Sequence, residues 1–176
     1  MEYIDILDRE QCGSISSAMI KLLEEDKLIR EDDHYYENSY GFYNLPEAID
    51  LVSYIQPIIR KDYPEIRFEN AYTRIYGNGS KLGYHTDRKE LFLTLSICVY
   101  SDIKQDWPLC ISNVPYKGPW NPSIPFEVFS HDFNEYLTPV GTGITCEGTT
   151  HVHWRNPLKC KPKQKVIQTF YHWNKL

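Results

Sequence analysis

From Arg67 onward the chain changes character, and that change limits its possible folds more than any other feature. Six short runs rich in β-branched and aromatic residues follow one another: Arg67–Tyr76, Leu91–Tyr100, Leu109–Ser112, Phe126–Phe129, Gly143–Cys146 and Lys165–Trp173. Each is bounded by Gly, Pro, Asn or Asp, the pattern of strands joined by turns. Before Arg67 the apolar spacing is helical. Asp8 with Gln11 reads as a capping box, and Ile15, Met19, Leu22 and Leu23 follow at helical intervals. Pro46 suits a first helical turn. Ala48, Leu51, Val52, Ile55, Ile58 and Ile59 then form a second stripe, which Pro57 is expected to kink and which ends before Pro64. Helices first and many strands afterwards predict a mainly β chain, an antiparallel jelly roll with the N-terminal helices packed on its outside. At 176 residues it is expected to form a single domain, helical over about 1–65 and β over about 66–176.

Two connecting stretches stand out. Arg30–Asn44 carries five aromatic residues amid charge, and Asn113–Pro125 holds four prolines with Tyr116 and Trp120. Both read as loops, placed either to line a cleft or to cover the ends of the core. Lys and Arg number 19 against 24 for Asp and Glu, so the net charge of -5 gives no general attraction to nucleic acid or anionic lipid. A local basic run such as Lys159–Lys165 still offers a groove for a phosphate backbone. The acidic start has no apolar core of signal-peptide length, and no stretch of membrane-spanning length occurs, so a cytoplasmic protein is expected. The five cysteines are scattered, without C-x-x-C spacing, and read as reduced, mostly buried thiols.

His85-Thr86-Asp87 places an imidazole and a carboxylate two residues apart, which a strand would project from one face toward one metal ion. A glycine-rich turn (Gly77-Asn78-Gly79) and Gly83 precede it, and two further histidines arrive at His151 and His153. Two imidazoles and one carboxylate are the ligand set of non-haem Fe(II) oxygenases. A surface pair between His85 and Asp87 is the plainer alternative. An extended segment would put His151 and His153 on the same face, so alternation leaves the third ligand open.

Residues 73–88 (TRIYGNGSKLGYHTDR), the following LFLTLSICVY, the WPL at 107–109, VGTGITCEG ahead of a histidine, and HWRNP at 153–157 resemble the Fe(II)- and 2-oxoglutarate-dependent dioxygenases, in their prolyl-4-hydroxylase-like branch. The resemblance covers roughly residues 41–173. It implies a double-stranded β-helix, Fe(II) held by His85, Asp87 and a later histidine, and 2-oxoglutarate with O₂ as cosubstrates. His153 matches the third ligand by its Trp-Arg sequel, with His151 the alternative. The resemblance also implies a basic residue some ten to twelve positions further on for the far carboxylate of 2-oxoglutarate. Lys165, at the start of an apolar run, is the expected anchor, with Lys163 and Arg155 as alternatives and a hydroxyl from Tyr76 beside it. Arg88 and Arg155 are candidates for substrate contact or for bracing the site, Arg88 otherwise pairing with Glu90 or Asp87. His172 and His131 read as structural or exposed, and His34 as a loop residue.

The activity so implied is hydroxylation of a peptidyl or free amino acid with release of succinate and CO₂, the partner being a small molecule or peptide. Desaturation and demethylation belong to the same chemistry. No Gly-x-Ser-x-Gly, phosphate-binding loop, His-Glu-x-x-His or dinucleotide fingerprint competes with it. Two other readings remain: a zinc or cupin-type metalloenzyme using His85, His151 and His153, and a non-catalytic β-sandwich binding module.

Overall fold

Asp8 holds the chain extended and accepts a 2.8 Å hydrogen bond from the Gln11 backbone N–H, while the Gln11 side chain accepts the Asp8 N–H at 2.9 Å. This reciprocal cap satisfies donors that a helix start leaves open and launches α1 (Arg9–Glu24). The computed structural model of the protein describes residues 1–31, 36–119, 124–125, 127 and 132–176. The second apolar stripe forms two short helices in it, α2 (Pro46–Ile49) and α3 (Val52–Ile59), rather than one kinked helix. Leu51 N–H bonds Ala48 O and Tyr54 N–H bonds Leu51 O, the tighter i→i+3 pattern, so the chain turns there and Pro57 sits inside α3.

The strands are β1 (Glu2–Tyr3), β2 (Ile29–Glu31), β3 (Tyr36–Tyr43), β4 (Ile66–His85), β5 (Leu93–Ser101), β6 (Leu109–Ser112), β7 (Phe133–Tyr136), β8 (Gly143–Cys146), β9 (His153–Arg155) and β10 (Val166–Lys175). They form one antiparallel sheet in the order β1-β8-β5-β10-β4-β9-β6-β7, with β3 on β4 and β2 on β3. Strand β4 makes the sheet curl. Its first half pairs with β10 and its far end with β9, where His85 stands opposite His153. Between the halves, the expected glycine turn is a bend within a continuous strand: Gly79 takes φ +85°, open to glycine without steric penalty, and its N–H bonds Leu158 O at 2.7 Å. The result is a jelly roll.

Alternation along the strands sorts the two faces. Ala71, Ile75, Leu95, Ile97, Ile167, Tyr171 and Trp173 point outward and pack with Ile15 and Met19 of α1 and Ile55 and Ile59 of α3. Each leucine, isoleucine or methionine among them contributes about 1.5–3 kcal/mol by leaving water. Their neighbours Asn70, Tyr72, Arg74, Ser96, Phe170 and His172 point inward and line a cavity of about 460 Å³ between the layers.

The stretch 30–44, read as a loop, instead supplies β2 and β3 among its described residues. Its charges hide an alternation in which Tyr40 and Phe42 pack on the core, while Gly41 leaves room for the Tyr72 ring. Strands β7 and β9 went unread because FNEY and HWR are too short and polar to announce themselves. The strand expected at Phe126–Phe129 lies outside the described residues apart from Glu127, as do His34, Trp120 and His131. All five cysteines are free, four of them buried. Among the described residues no helix is long and apolar enough to cross a membrane.

Candidate metal centre

His85 closes β4 and His153 opens β9, and because the two strands pair in register there, their rings stand 4.1 Å apart between centroids. Asp87, two residues past His85, turns one oxygen toward both. Its Oδ1 lies 3.6 Å from His85 Nε2 and 3.7 Å from His153 Nε2, and the three atoms fall within 4.8 Å of one another. Every other polar atom of the three side chains is tied off. His85 Nδ1 meets Gly83 O at 2.8 Å and His153 Nδ1 meets His151 O at 3.0 Å. A carbonyl only accepts, so each Nδ1 carries the proton and each Nε2 presents a lone pair. The Thr94 hydroxyl donates to Asp87 Oδ2 at 2.6 Å, and the Asp87 N–H donates to Gly148 O at 2.7 Å. Three acceptors thus face one another with no donor between them, an arrangement that repels itself unless a cation sits at its centre.

The electrostatics suit that cation. Burial pushes the Asp87 carboxyl up, but His153 and His85 beside it outweigh burial and hold it well below the usual carboxylate range. Burial, followed by the charge of His85, pulls His153 down to about 4. At neutral pH the carboxylate is therefore ionised and the imidazole neutral, the forms that bind metal without first losing a proton.

No family model matches the chain, and no curated protein does. Solved structures do match it. A prolyl-4-hydroxylase from Pseudomonas putida superposes with a TM-score of 0.72 over 100% of this chain and 92% of the other, at 8% identity. A viral collagen prolyl hydroxylase from Paramecium bursaria Chlorella virus-1, solved with 2-oxoglutarate, gives 0.65 over 99% and 95%, at 16% identity. The chain has the 2-oxoglutarate/Fe(II) oxygenase fold. A non-haem α-ketoglutarate-dependent carbocyclase from nogalamycin biosynthesis shares this oxygenase fold, with a TM-score of 0.74 over 98% of this chain and 78% of the other at 13% identity. One architecture therefore carries several chemistries, and the activity has to be argued from the site.

Within the oxygenase fold the structure brings His85, Asp87 and His153 together and leaves His151 out. His151 is not in an extended segment: its N–H closes a turn onto Glu147 O and its Nδ1 meets Ser112 O at 2.9 Å. The three-imidazole arrangement of His85, His151 and His153 does not form among these residues.

Lys165 does not reach the cavity. Its Nζ donates to Lys163 O at 3.1 Å near the surface, and Lys163 itself is exposed. The reason is parity: Phe170 and His172 of β10 face inward, so Lys165 shares the phase of Ile167 and Tyr171, which face out. Arg155 lies two residues from His153 on the same strand and shares its phase, buried beside Trp107 rather than on the cavity lining. It is 1% exposed, donates to Trp107 O at 2.6 Å, and lies 3.5 Å from the hydroxyls of Ser96 and Thr138 and 4.9 Å above the Trp107 ring. Its Nε has no partner, and no carboxylate among the described residues pairs with it. Tyr76, fully buried and edge-on to the same Trp107, also has an unpartnered hydroxyl, with Arg74 nearby but outside hydrogen-bonding geometry.

Several residues of the site escaped the sequence reading. His172 is buried rather than exposed and lines the cavity, and its phase with Phe170 was the available signal. Asn70, Arg74 and Thr94 carried no signal beyond strand parity. Arg88 lies exposed at the cavity rim and forms no ion pair with Glu90 or Asp87 among the described residues.

Proposed function

We propose that the chain is an Fe(II)- and 2-oxoglutarate-dependent oxygenase that hydroxylates an unactivated carbon of a free or peptidyl amino acid, releasing succinate and CO₂. One observation carries this reading: Nε2 of His85, Nε2 of His153 and Oδ1 of Asp87 converge while each partner atom is held elsewhere. Two imidazoles and a carboxylate on one face of an octahedron leave the other face for an oxo acid and O₂.

The residues beyond the triad fit the oxo acid. A buried guanidinium without a counter-ion is costly, and a ligand carboxylate would relieve it. Among the described residues, Arg155 Nε and the Tyr76 hydroxyl are the two buried side-chain atoms without a partner, and both belong to residues packed on Trp107. Two residues of strand span about 6.6 Å, so His153 and Arg155 are spaced to grip the two ends of a short dicarboxylate. Bound there, Fe(II) and 2-oxoglutarate would supply the activation of O₂ and the electrons for it. The chain's own part is to keep Asp87 ionised, to hold its Oδ2 on Thr94, and to neutralise the far carboxylate with Arg155.

Anaerobic addition of Fe(II) and 2-oxoglutarate should raise a weak visible charge-transfer band, because the keto acid must chelate the metal directly. Asp87→Ala should abolish it. A band that survives this substitution unchanged removes Asp87 from the ligand set and the proposal with it.

A further inference from the structure

The cavity has lining residues that neither the triad nor the oxo acid uses, with Arg88 exposed at its outer side. Among the described residues that line it, Asp87 is the one acid, and its oxygens are already committed to His85, His153 and Thr94. Arg74 and Arg88 stand close enough to His172 to act on its charge. Arg74 is matched by Glu31 at 2.6 Å and lies over the Tyr72 ring at 4.4 Å, which fixes it in the wall. Arg88 has no such partner among the described residues and is exposed at the rim. On a chain of net charge -5, a cavity bearing two arginines and a single committed acid is a selective place for an anion.

His172 adds a directional contact. Its Nδ1 lies 2.8 Å from Asn70 Oδ1, its cross-strand neighbour. The amide oxygen only accepts, so Nδ1 carries the proton and Nε2 is left as a bare acceptor. Burial draws the ring down to about 4 against the opposing charge of Asp87, with smaller help from the two arginines, and this keeps it neutral at physiological pH.

We propose that the outer side of the cavity is a subsite for a small free carboxylic acid bearing an N–H or O–H donor beside its carboxylate, the simplest being an α-amino acid. Arg88 takes the carboxylate and His172 Nε2 takes the donor. This rests on the oxygenase reading above and narrows it from free or peptidyl amino acids to free ones. A residue within a peptide has no α-carboxylate to offer Arg88. The size agrees, since a cavity of about 460 Å³ has room for one residue-sized molecule beside the metal.

The test uses the Fe(II)- and 2-oxoglutarate-loaded protein. The twenty protein amino acids, each beside its N-acetyl N-methylamide, are titrated anaerobically by calorimetry and then assayed aerobically for succinate release. At least one free amino acid should bind and raise succinate release about ten-fold or more over the unstimulated rate, and its blocked form should do neither. For that amino acid, Arg88→Met should raise KM by about 10- to 100-fold with little change in kcat, as loss of uniform binding requires, and Arg88→Lys should recover part of it. The wild type should prefer the amino acid over the same acid lacking its amino group, and His172→Phe should erase that preference. The 2-oxoglutarate affinity should hold in all three variants. The subsite is overturned if no free amino acid binds, if a blocked form binds better, or if Arg88→Met leaves KM unchanged. Failure of the oxygenase reading looks different: no charge-transfer band appears before any amino acid is added, and the subsite then falls with its premise.

Discussion

Arg155 carries a full charge into a place water does not reach and meets no carboxylate there among the described residues. A structural arginine in that position would be an expense without a return, whereas a ligand-binding one gains its counter-ion on binding. The two roles predict opposite results for Arg155→Met. The apoprotein should be as stable as the wild type or more so, because an unpaired buried charge is removed. Binding of 2-oxoglutarate should weaken by at least about two orders of magnitude, the equivalent of a broken buried ion pair. Lys165→Met should bind 2-oxoglutarate like the wild type, and calorimetry on both variants decides between strand β9 and the start of β10. At Gly148 a Cβ would run into Asp87 Oδ2. Gly148→Ala should therefore displace the carboxylate from Thr94 and lower Fe(II) affinity by about 10-fold or more, while the denaturation midpoint of the apoprotein moves little. Equal Fe(II) affinity in that variant would mean the carboxylate is free to tilt. The triad was legible because His-x-Asp and the His-Trp-Arg sequel are local patterns. The outward placement of Lys165 was not, because which phase of β10 faces the cavity is set by how the sheet curls, and no local pattern reports that.

At the scale of elements, legibility followed the strength of the periodic signal. Helix α1 announced itself through Asp8, Gln11 and four apolar positions, and it forms with that cap. The β6 and β8 runs, bounded by proline and glycine, match their expected limits at Leu109–Ser112 and Gly143–Cys146. Strand β4 exceeded its expected length because Gly77 and Gly79, ordinarily a stop, serve as a bend that carries one strand across both layers. That crossing puts His85 beside His153, and no local pattern reports it. The cap of α1 lies far from this crossing, so its effect should be confined to stability. Asp8→Ala should lose about 1 kcal/mol, a fall in Tm of about 2–4 °C for a chain of this size. Fe(II) affinity should be unchanged, and a joint loss of both would show the helix and the site to be coupled.

The molecule as a whole keeps two imidazoles neutral in its interior, and its acid stability follows from that. His153 and His172 are both drawn to about 4 by burial, against an ordinary value of 6.5. Between those pH values the unfolded chain binds protons that the folded one refuses, so stability rises with pH across the window and is complete above it. As pH falls from 6.5 toward 4 the apoprotein should lose a few kcal/mol. Below that, Asp87 contributes in the same direction: its carboxyl is depressed in the fold, so the stability it gives is lost as it protonates. Saturating Fe(II) under anaerobic conditions requires the same neutral imidazoles and ionised carboxylate. It should move the acid-unfolding midpoint to lower pH by an amount that grows with metal concentration. His172→Phe should flatten the slope between pH 6.5 and 4 without removing the metal-dependent shift, since His172 stands outside the triad. Tryptophan fluorescence followed against pH, with and without Fe(II), measures both effects. Apoprotein stability that stays level from pH 7 to 4.5 would show that these rings accept protons in place, which contradicts a closed, water-poor cavity around the triad.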